Sequence, residues 1–332
     1  MMNLPLCYHP STLILLDDDL DYLENLAFRF NKTPYIINKF TSPHDVLNYI
    51  NNEYEPHYWP HKFVKKENNL HHEYQELAIN LNLYKLPLEI YNNNRFNQIS
   101  CIVVDYSMPG MNGLEVLRRI KDPYIKKILL TGNADESLAI DAFNKGEIDQ
   151  FVRKSDENMF LNLLESINKL AECYFSRLSI TALDVIYANN MDYTALIEPK
   201  FQSLFREQLN KYNIVEYYLF ESYGCYIMLD SKANTYGFFI YTEGDVKDVL
   251  SDTDIAHNWI SFMKYTPKMM CYHKMINPNF PQDNEKKQYL QPAILFEGDF
   301  NKYYWAVTDK NLDIEKNDIL SFYNFQRNLA GK

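Results

Sequence analysis

Apolar positions in the first half of the chain alternate between short continuous runs and helical stripes. Thr12-Leu13-Ile14-Leu15-Leu16 is unbroken until it meets Asp17-Asp18-Asp19, and a run of that length reads as a buried strand. Leu20, Leu23, Leu26, Ala27 and Phe30 then recur at helical spacing, with Asp18 or Asp19 placed to cap the helix. Tyr35 to Phe40 predicts a second strand. Ser42 to Ile50 predicts a second helix, with Val46, Leu47 and Ile50 on one face. This βαβα opening implies a parallel sheet covered by helices on both sides.

The alternation stops at residues 53–98. Structureless connections longer than about 12–15 residues are unusual, so the segment reads as a folded insertion with a polar helix-like piece near His71 to Asn80. Its histidines invite a metal reading, but His57 and His61 each follow a proline and no cysteine accompanies them. Packing or partner docking is the favoured role. The pattern then resumes. Ile102-Val103-Val104 ends at Asp105, and a helix carrying Leu114, Val116, Leu117 and Ile120 follows. Lys127 to Thr131 is a fourth strand. Asp135 to Lys145 is a helix with Leu138, Ala139, Ala142 and Phe143 inward and Gly146 as its stop. Ile148 to Val152 is a fifth strand, with Lys154 just past its end.

A longer stripe follows, through Phe160, Leu163, Leu164, Ile167, Leu170, Ala171, Tyr174, Phe175 and Leu178. A helix of this length extends about 30 Å, so its far half must meet another surface. That surface is either the chain's own C-terminal domain or a second copy, and heptad-like spacing favours a homodimer. Beyond it, Phe201, Leu204, Phe205 and Leu209 mark an amphipathic helix. Val215 to Phe220, Cys225 to Leu229 and Tyr236 to Tyr241 form a meander, Asp254 to Met263 a helix, and Ile294 to Gly298 with Lys302 to Thr308 a hairpin. The expected division is 1–155 (with the insertion at 53–98), a connector helix at 156–178, and an α+β antiparallel-sheet output domain at 179–332.

Composition narrows the classes. A net charge of −11 argues against coating nucleic acid by charge alone. The five cysteines are scattered without a CxxC pair, so neither a disulfide frame nor a zinc site is indicated. No apolar run approaches the ~20 residues of a membrane span, and Met1 to Pro10 lacks signal-peptide character. The expectation is a cytoplasmic protein with no membrane insertion.

The strand ends carry the chemistry. In an open parallel sheet the carboxyl ends of the strands line one crevice, which would gather Asp17, Asp18, Asp105, Thr131 and Lys154. A carboxylate can take a phosphoryl group as an acyl phosphate. Clustered carboxylates also suit Mg²⁺, with Asp18, Asp105 and the Ser107 carbonyl as expected direct ligands and Asp17 acting through water. Lys154 adds a second positive charge, and the Thr131 hydroxyl can donate to a phosphoryl oxygen.

Asp17-Asp18, Asp105-Tyr-Ser-Met-Pro-Gly-Met-Asn-Gly113, Leu130-Thr131-Gly132 and Phe151-Val-Arg-Lys154 together resemble the receiver domain of two-component response regulators. The resemblance implies a flavodoxin-like (βα)5 fold in strand order 2-1-3-4-5 and phosphotransfer to Asp105 from a sensor histidine kinase. It also implies that Thr131 and Phe151 act as a coupled switch pair. Two features depart from the family: the insertion, and Ser155, where a proline in a cis peptide is usual. The insertion and the stretches around Asp105, Thr131 and Lys154 look like a proteobacterial subfamily. The quorum-sensing regulator of the α-hydroxyketone autoinducer system belongs near it.

The output domain is less explicit. It has no P-loop, Gly-rich dinucleotide turn or cyclic-dinucleotide enzyme motif. Its basic clusters, Lys264 to Lys268 and Lys286-Lys287, sit in loops and not on a recognition helix. Glu297, Asp299 and Lys302 could form an acid–acid–lysine site, but a solvated hairpin turn is favoured, and His257 and His273 stand alone. The expected role is a regulator that catalyses only its own phosphotransfer and dephosphorylation. The alternatives are a transcription-type regulator binding nucleic acid or nucleotide, and a receiver-controlled enzyme.

Overall fold

The computed structural model describes residues 4–56, 64–70, 75–132, 135–190, 194–244, 268–271, 286–310, 312 and 314–330. The elements that organise the N-terminal half are β1 (Cys7–Tyr8), β2 (Ser11–Leu16), α1 (Leu20–Arg29), β3 (Tyr35–Phe40) and α2 (Pro43–Asn48), the last extended by a π turn over Tyr49–Glu53. After the insertion, which carries β4 (Val64–Leu70) and β5 (Gln75–Leu81), come β6 (Ile99–Asp105), α3 (Gly113–Arg119), β7 (Lys126–Thr131), α4 (Glu136–Asn144), β8 (Gln150–Arg153) and α5 (Met159–Asn190). The C-terminal half adds α6 (Pro199–Lys211), β9 (Ile214–Glu221), β10 (Cys225–Asp230), β11 (Thr235–Thr242), β12 (Lys268–Met270), β13 (Leu290–Pro292), β14 (Ile294–Glu297), β15 (Lys302–Thr308) and α7 (Phe322–Ala330).

Strands β3, β2, β6, β7 and β8 form one parallel sheet in that order, the 2-1-3-4-5 arrangement expected from the receiver-like motifs. Alternate residues of a strand face opposite sides. Accordingly Ile14, Leu16, Ile102 and Val104 enter one apolar layer, and Leu13, Leu15, Cys101 and Val103 enter the other. Burial on both faces is why these strands read as continuous apolar runs rather than alternating ones.

The second sheet is antiparallel, in the order β1-β9-β10-β11-β15-β14, so the meander and the closing hairpin share one sheet. Helix α6 buries Phe201 and Phe205 against it, as its amphipathic spacing predicts. One edge partner comes from outside the C-terminal half: β1 pairs with β9, Cys7 opposite Tyr218 and Tyr8 opposite Tyr217. The chain thus passes from the output sheet into the receiver sheet across His9 and Pro10 alone.

Helix α5 continues past Leu178, where the apolar stripe suggests an end, to Asn190. Its first half contributes Leu163, Ile167, Leu170 and Ala171 to the receiver core. Its second half contributes Tyr174, Phe175, Leu178, Ala182, Leu183 and Ile186 to the output core. The surface required by the far half is therefore the chain's own output domain.

Three sequence expectations change. Near His71 to Asn80 the polar spacing suggests helix, but β4 and β5 form an antiparallel hairpin, Val64 opposite Leu81 through Leu70 opposite Gln75. Leu77, Ile79 and Leu81 carry the period of two that a strand requires. In α4, Ala139 and Ala142 are buried, whereas Leu138 and Phe143 are 47% and 45% exposed; small side chains make the close approach and the larger ones splay outward. The C-terminal helix α7, absent from the periodicity reading, packs Phe322 and Phe325 on Phe96, with ring centroids 5.3 and 5.2 Å apart. Residues His57, Trp59, His61, His257, His273 and the Asp254 to Met263 helix lie outside the described residues. No described helix is long and apolar enough to cross a membrane.

His9 lies at the junction of the two sheets, 3% exposed, with ring contacts to Phe96, Phe175 and Tyr218. Its Nδ1–H donates to the Pro10 carbonyl at 2.8 Å. Burial pushes its pKa down to about 4. An unfolded chain takes up this proton below about pH 6.5 while the folded chain does not, so stability falls with pH between those limits and is fully present above them. We expect a loss approaching about 1.4 kcal/mol per pH unit in that window, read from urea unfolding at pH 5 and pH 7. His9→Phe should remove this component; a variant with an unchanged pH slope would assign the loss to other groups.

Candidate functional site

The site forms at the carboxyl ends of β2, β6, β7 and β8. Each run of apolar residues drives its strand into the core, and the first polar residue is left at the rim. The carboxylate oxygens of Asp17, Asp18 and Asp105 lie within 4.8 Å of one another. Asp17 and Asp105 are buried, at 3% and 5% exposure, and Asp18 is exposed. Asp19 caps α1 by accepting from the Tyr22 amide at 3.0 Å, and the Asp19 amide in turn donates to Asp17 Oδ1 at 3.0 Å. Capping thereby belongs to Asp19, which leaves Asp18 for the site.

Lys154 closes the other side. Its ammonium lies 2.7 Å from Asp17 Oδ2 and 2.8 Å from Asp105 Oδ1. Partial burial lowers its pKa, but the hydrogen bonds to Asp105 and Asp17 outweigh that and the net shift is upward. The Lys154 amide donates to the Thr131 carbonyl at 2.9 Å, which ties the end of β8 to the end of β7. No cis peptide bond occurs among the described residues, so the Lys154–Ser155 bond is trans.

The turn after Asp105 is built around the same carboxylate. The Ser107 amide donates to Asp105 Oδ2 at 3.1 Å, and the Ser107 hydroxyl donates to Asp135 at 3.3 Å. Gly113 opens α3 directly against the Asp105 backbone, where any Cβ would collide with the Asp105 carbonyl oxygen. Asn112 caps that helix by accepting from the Glu115 amide at 3.0 Å. The Pro-Gly-Met-Asn-Gly run is thus the shape of chain that lets a helix begin in contact with a strand end.

Thr131 is fully buried and its hydroxyl makes no hydrogen bond. An unpaired buried hydroxyl carries a desolvation cost, and this one stands beside Asp105 on the adjacent strand. Phe151 is half-buried, edge-on to Phe143 at 6.5 Å. Asp17, Asp18, Asp105, Ser107, Thr131 and Lys154 are therefore brought together, with Phe151 behind them on β8.

The output-domain trio is not a comparable site. Lys200 pairs with Asp299 at 2.5 Å and Lys302 with Glu297 at 3.2 Å, and all four side chains are well exposed. The order in this turn comes from Glu198, which is 1% exposed and accepts from the amides of Asp299, Phe300 and Asn301 and from the Tyr303 hydroxyl. Its carboxylate fills the space over Gly298 that a Cβ would need. Periodicity cannot reveal such a strut, because it depends on contacts a hundred residues apart.

A family model for the response regulator receiver domain matches residues 72–165. That span includes Asp105, Thr131 and Lys154, while Asp17 and Asp18 precede the insertion and reach the site only through the fold. Among curated proteins, the transcriptional regulatory protein FixJ of Bradyrhizobium diazoefficiens is 32% identical over 75 residues, 22% of this chain and 36% of that one. The response regulator protein TodT of Pseudomonas putida is 25% identical over 99 residues, 29% of this chain and 44% of that one. The chain thus spans less than half the length of these curated relatives. The solved structure of the Legionella pneumophila response regulator LqsR is similar from end to end, with a TM-score of 0.76 and 32% identity over 98% of this chain and 96% of that one. That likeness extends through the connector and the output domain, and with it this chain belongs to the family of response regulators with a receiver domain.

Proposed function

We propose that the chain takes a phosphoryl group onto Asp105 from a phosphohistidine of a sensor histidine kinase and relays its phosphorylation state to the C-terminal domain. The observation that carries this reading is the buried Asp105 carboxylate, bonded to Lys154 and set among Asp17, Asp18 and the unpaired Thr131 hydroxyl. One carboxylate oxygen of Asp105 attacks phosphorus. The P–N bond breaks, its electron pair stays on the imidazole nitrogen, and that nitrogen takes a proton from water. Hydrolysis reverses the state: water attacks phosphorus, the P–O bond breaks, and inorganic phosphate leaves.

Three carboxylates beside one ammonium leave negative charge in excess, which fits a hard divalent cation. Asp18, Asp105 and the Ser107 carbonyl would hold Mg²⁺, with Asp17 through water. When bound, it offsets charge on the transferring oxygens. Lys154 follows one phosphoryl oxygen and Thr131 donates to another, which gives its hydroxyl a partner. Phe151 then occupies the space that Thr131 leaves. Labelling with acetyl phosphate and Mg²⁺ tests the reading: a bound phosphoryl group that hydroxylamine releases is expected, and a chain that takes up no label overturns it.

We read the output domain as a binding module rather than an enzyme, supported by the solvated, ion-paired state of Glu297, Asp299 and Lys302. The insertion and motif likeness favour a place in quorum sensing. For self-association, the connector stripe is buried within the chain, whereas Leu138, Ile140 and Phe143 on α4 are 47%, 43% and 45% exposed. A homodimer through α4 is the expected form in the phosphorylated state. Leu138→Glu should leave it monomeric by light scattering; a native chain that stays monomeric with and without acetyl phosphate removes the dimer.

A further inference from the structure

The geometry points to Tyr22 as a positioning residue for Lys154, an inference that rests on the phosphoacceptor reading above. Tyr22 lies in the first turn of α1, and the Lys154 ammonium stands 4.3 Å from its ring centroid. An ammonium has three N–H donors and no acceptor. Two of them are accounted for by Asp17 at 2.7 Å and Asp105 at 2.8 Å, and the π face takes the third side. The Tyr22 hydroxyl is buried and makes no hydrogen bond, so what the residue offers the site is its ring and not its oxygen.

The position of that ring is built into the start of the helix. The Tyr22 amide is held by the Asp19 cap, and Asp19 is tied by its own amide to Asp17. Aromatic ring and acidic pair are therefore fixed to each other through one short stretch of backbone.

A ring serves here better than a third carboxylate. When Asp105 is phosphorylated, Lys154 must exchange a carboxylate oxygen for a phosphoryl oxygen. A further carboxylate would compete with the phosphoryl group for the ammonium. A π face attracts the cation without a fixed bond direction and keeps water from that side, so the lysine is held in place while its acceptors change.

Two measurements on the full chain test this. The first is the initial rate of labelling by acetyl phosphate with Mg²⁺, compared for native, Y22F and Y22L chains. Y22F keeps the ring and should label at the native rate. Y22L should label about two- to thirtyfold more slowly, the factor a cation–π contact is worth. The second is acylation of Lys154 by acetic anhydride without phosphodonor, followed by peptide mass spectrometry. Lys154 should be modified faster in Y22L and at the native rate in Y22F.

Should circular dichroism show Y22L unfolded, Y22M takes its place. Native-like labelling and acylation in the ringless variant would overturn the inference, and so would a Y22F chain as slow as Y22L. A native chain that takes no label at all would instead refute the phosphoacceptor reading. In that case the acylation comparison still decides whether the ring holds Lys154.

Discussion

Asp105→Asn should abolish phosphoryl labelling of the chain by acetyl phosphate while leaving its fold intact. The two side chains are nearly isosteric, and Asp105 sits on a strand whose neighbours are all buried, so the sheet has little reason to rearrange. An amide oxygen is a far poorer nucleophile than a carboxylate oxygen, and an acyl phosphate cannot form on it. The loss should reach background, because Asp105 is the buried carboxylate that meets Lys154 on the strand next to the unpaired Thr131 hydroxyl. Lys154 keeps its bond to Asp17 in the variant, so its ammonium stays neutralised and gross destabilisation is not expected. Intact-mass measurement after a short incubation reads the result. Equal phosphorylation of native and variant chains would refute Asp105 as the acceptor.

The second large effect concerns how the two halves are joined. Arg95, in the last part of the insertion, is 1% exposed and forms a two-pronged pair with Glu216 on β9, at 2.8 and 3.1 Å. Its guanidinium also donates to the carbonyls of Leu320 and Asn92 and lies 4.0 Å over the Phe96 ring. The Tyr218 hydroxyl donates to the same Glu216 carboxylate at 2.9 Å. Every strong group in this cluster has a partner, which is the condition under which a buried ion pair is tolerated. Removing one member leaves the other as a buried charge without its partner. Arg95→Leu should therefore cost about 3–5 kcal/mol in urea or guanidinium unfolding. The double replacement Arg95→Leu with Glu216→Leu should cost much less, because no unpaired charge remains. A single variant that loses less than about 1 kcal/mol would show that water reaches the pair and that it does not hold the insertion to the output sheet.

This pair also explains why the insertion does not behave as an appendage. Leu86 and Ile90 enter the output core, Phe96 meets Ile36 of the receiver and Phe322 of the last helix, and Arg95 reaches Glu216. Among the described residues the insertion joins β1, α5 and α7 in packing the receiver and output halves together.

The receiver pocket was legible in the chain itself because its chemistry is local to strand ends. Asp17, Asp18, Asp105, Thr131 and Lys154 each stand where an apolar run stops, and a parallel sheet places all such positions on one rim. The meander and the closing hairpin were legible for the same reason, being runs of apolar and aromatic residues separated by turns. The helical stripe of the connector was visible, but not what would cover it.

Other features depend on pairs of residues that no local pattern links. A two-residue strand such as Cys7–Tyr8 has no periodicity, and its place is set by hydrogen bonds to β9. Arg95 and Glu216 are 121 positions apart, and each alone reads as an ordinary surface charge. Glu198 looks like a residue before a helical proline until the turn at 298–301 folds onto it. Tyr22 is one more position on α1 until β8 carries Lys154 over its ring. The order of apolar runs and polar stops determined the strands, their rim and the acidic pocket, because burial and strand geometry act within a few residues. Tertiary structure alone decided which charges are paired out of water, what covers α5 and how the insertion joins the halves, because those contacts gain their energy only when distant segments exclude solvent together.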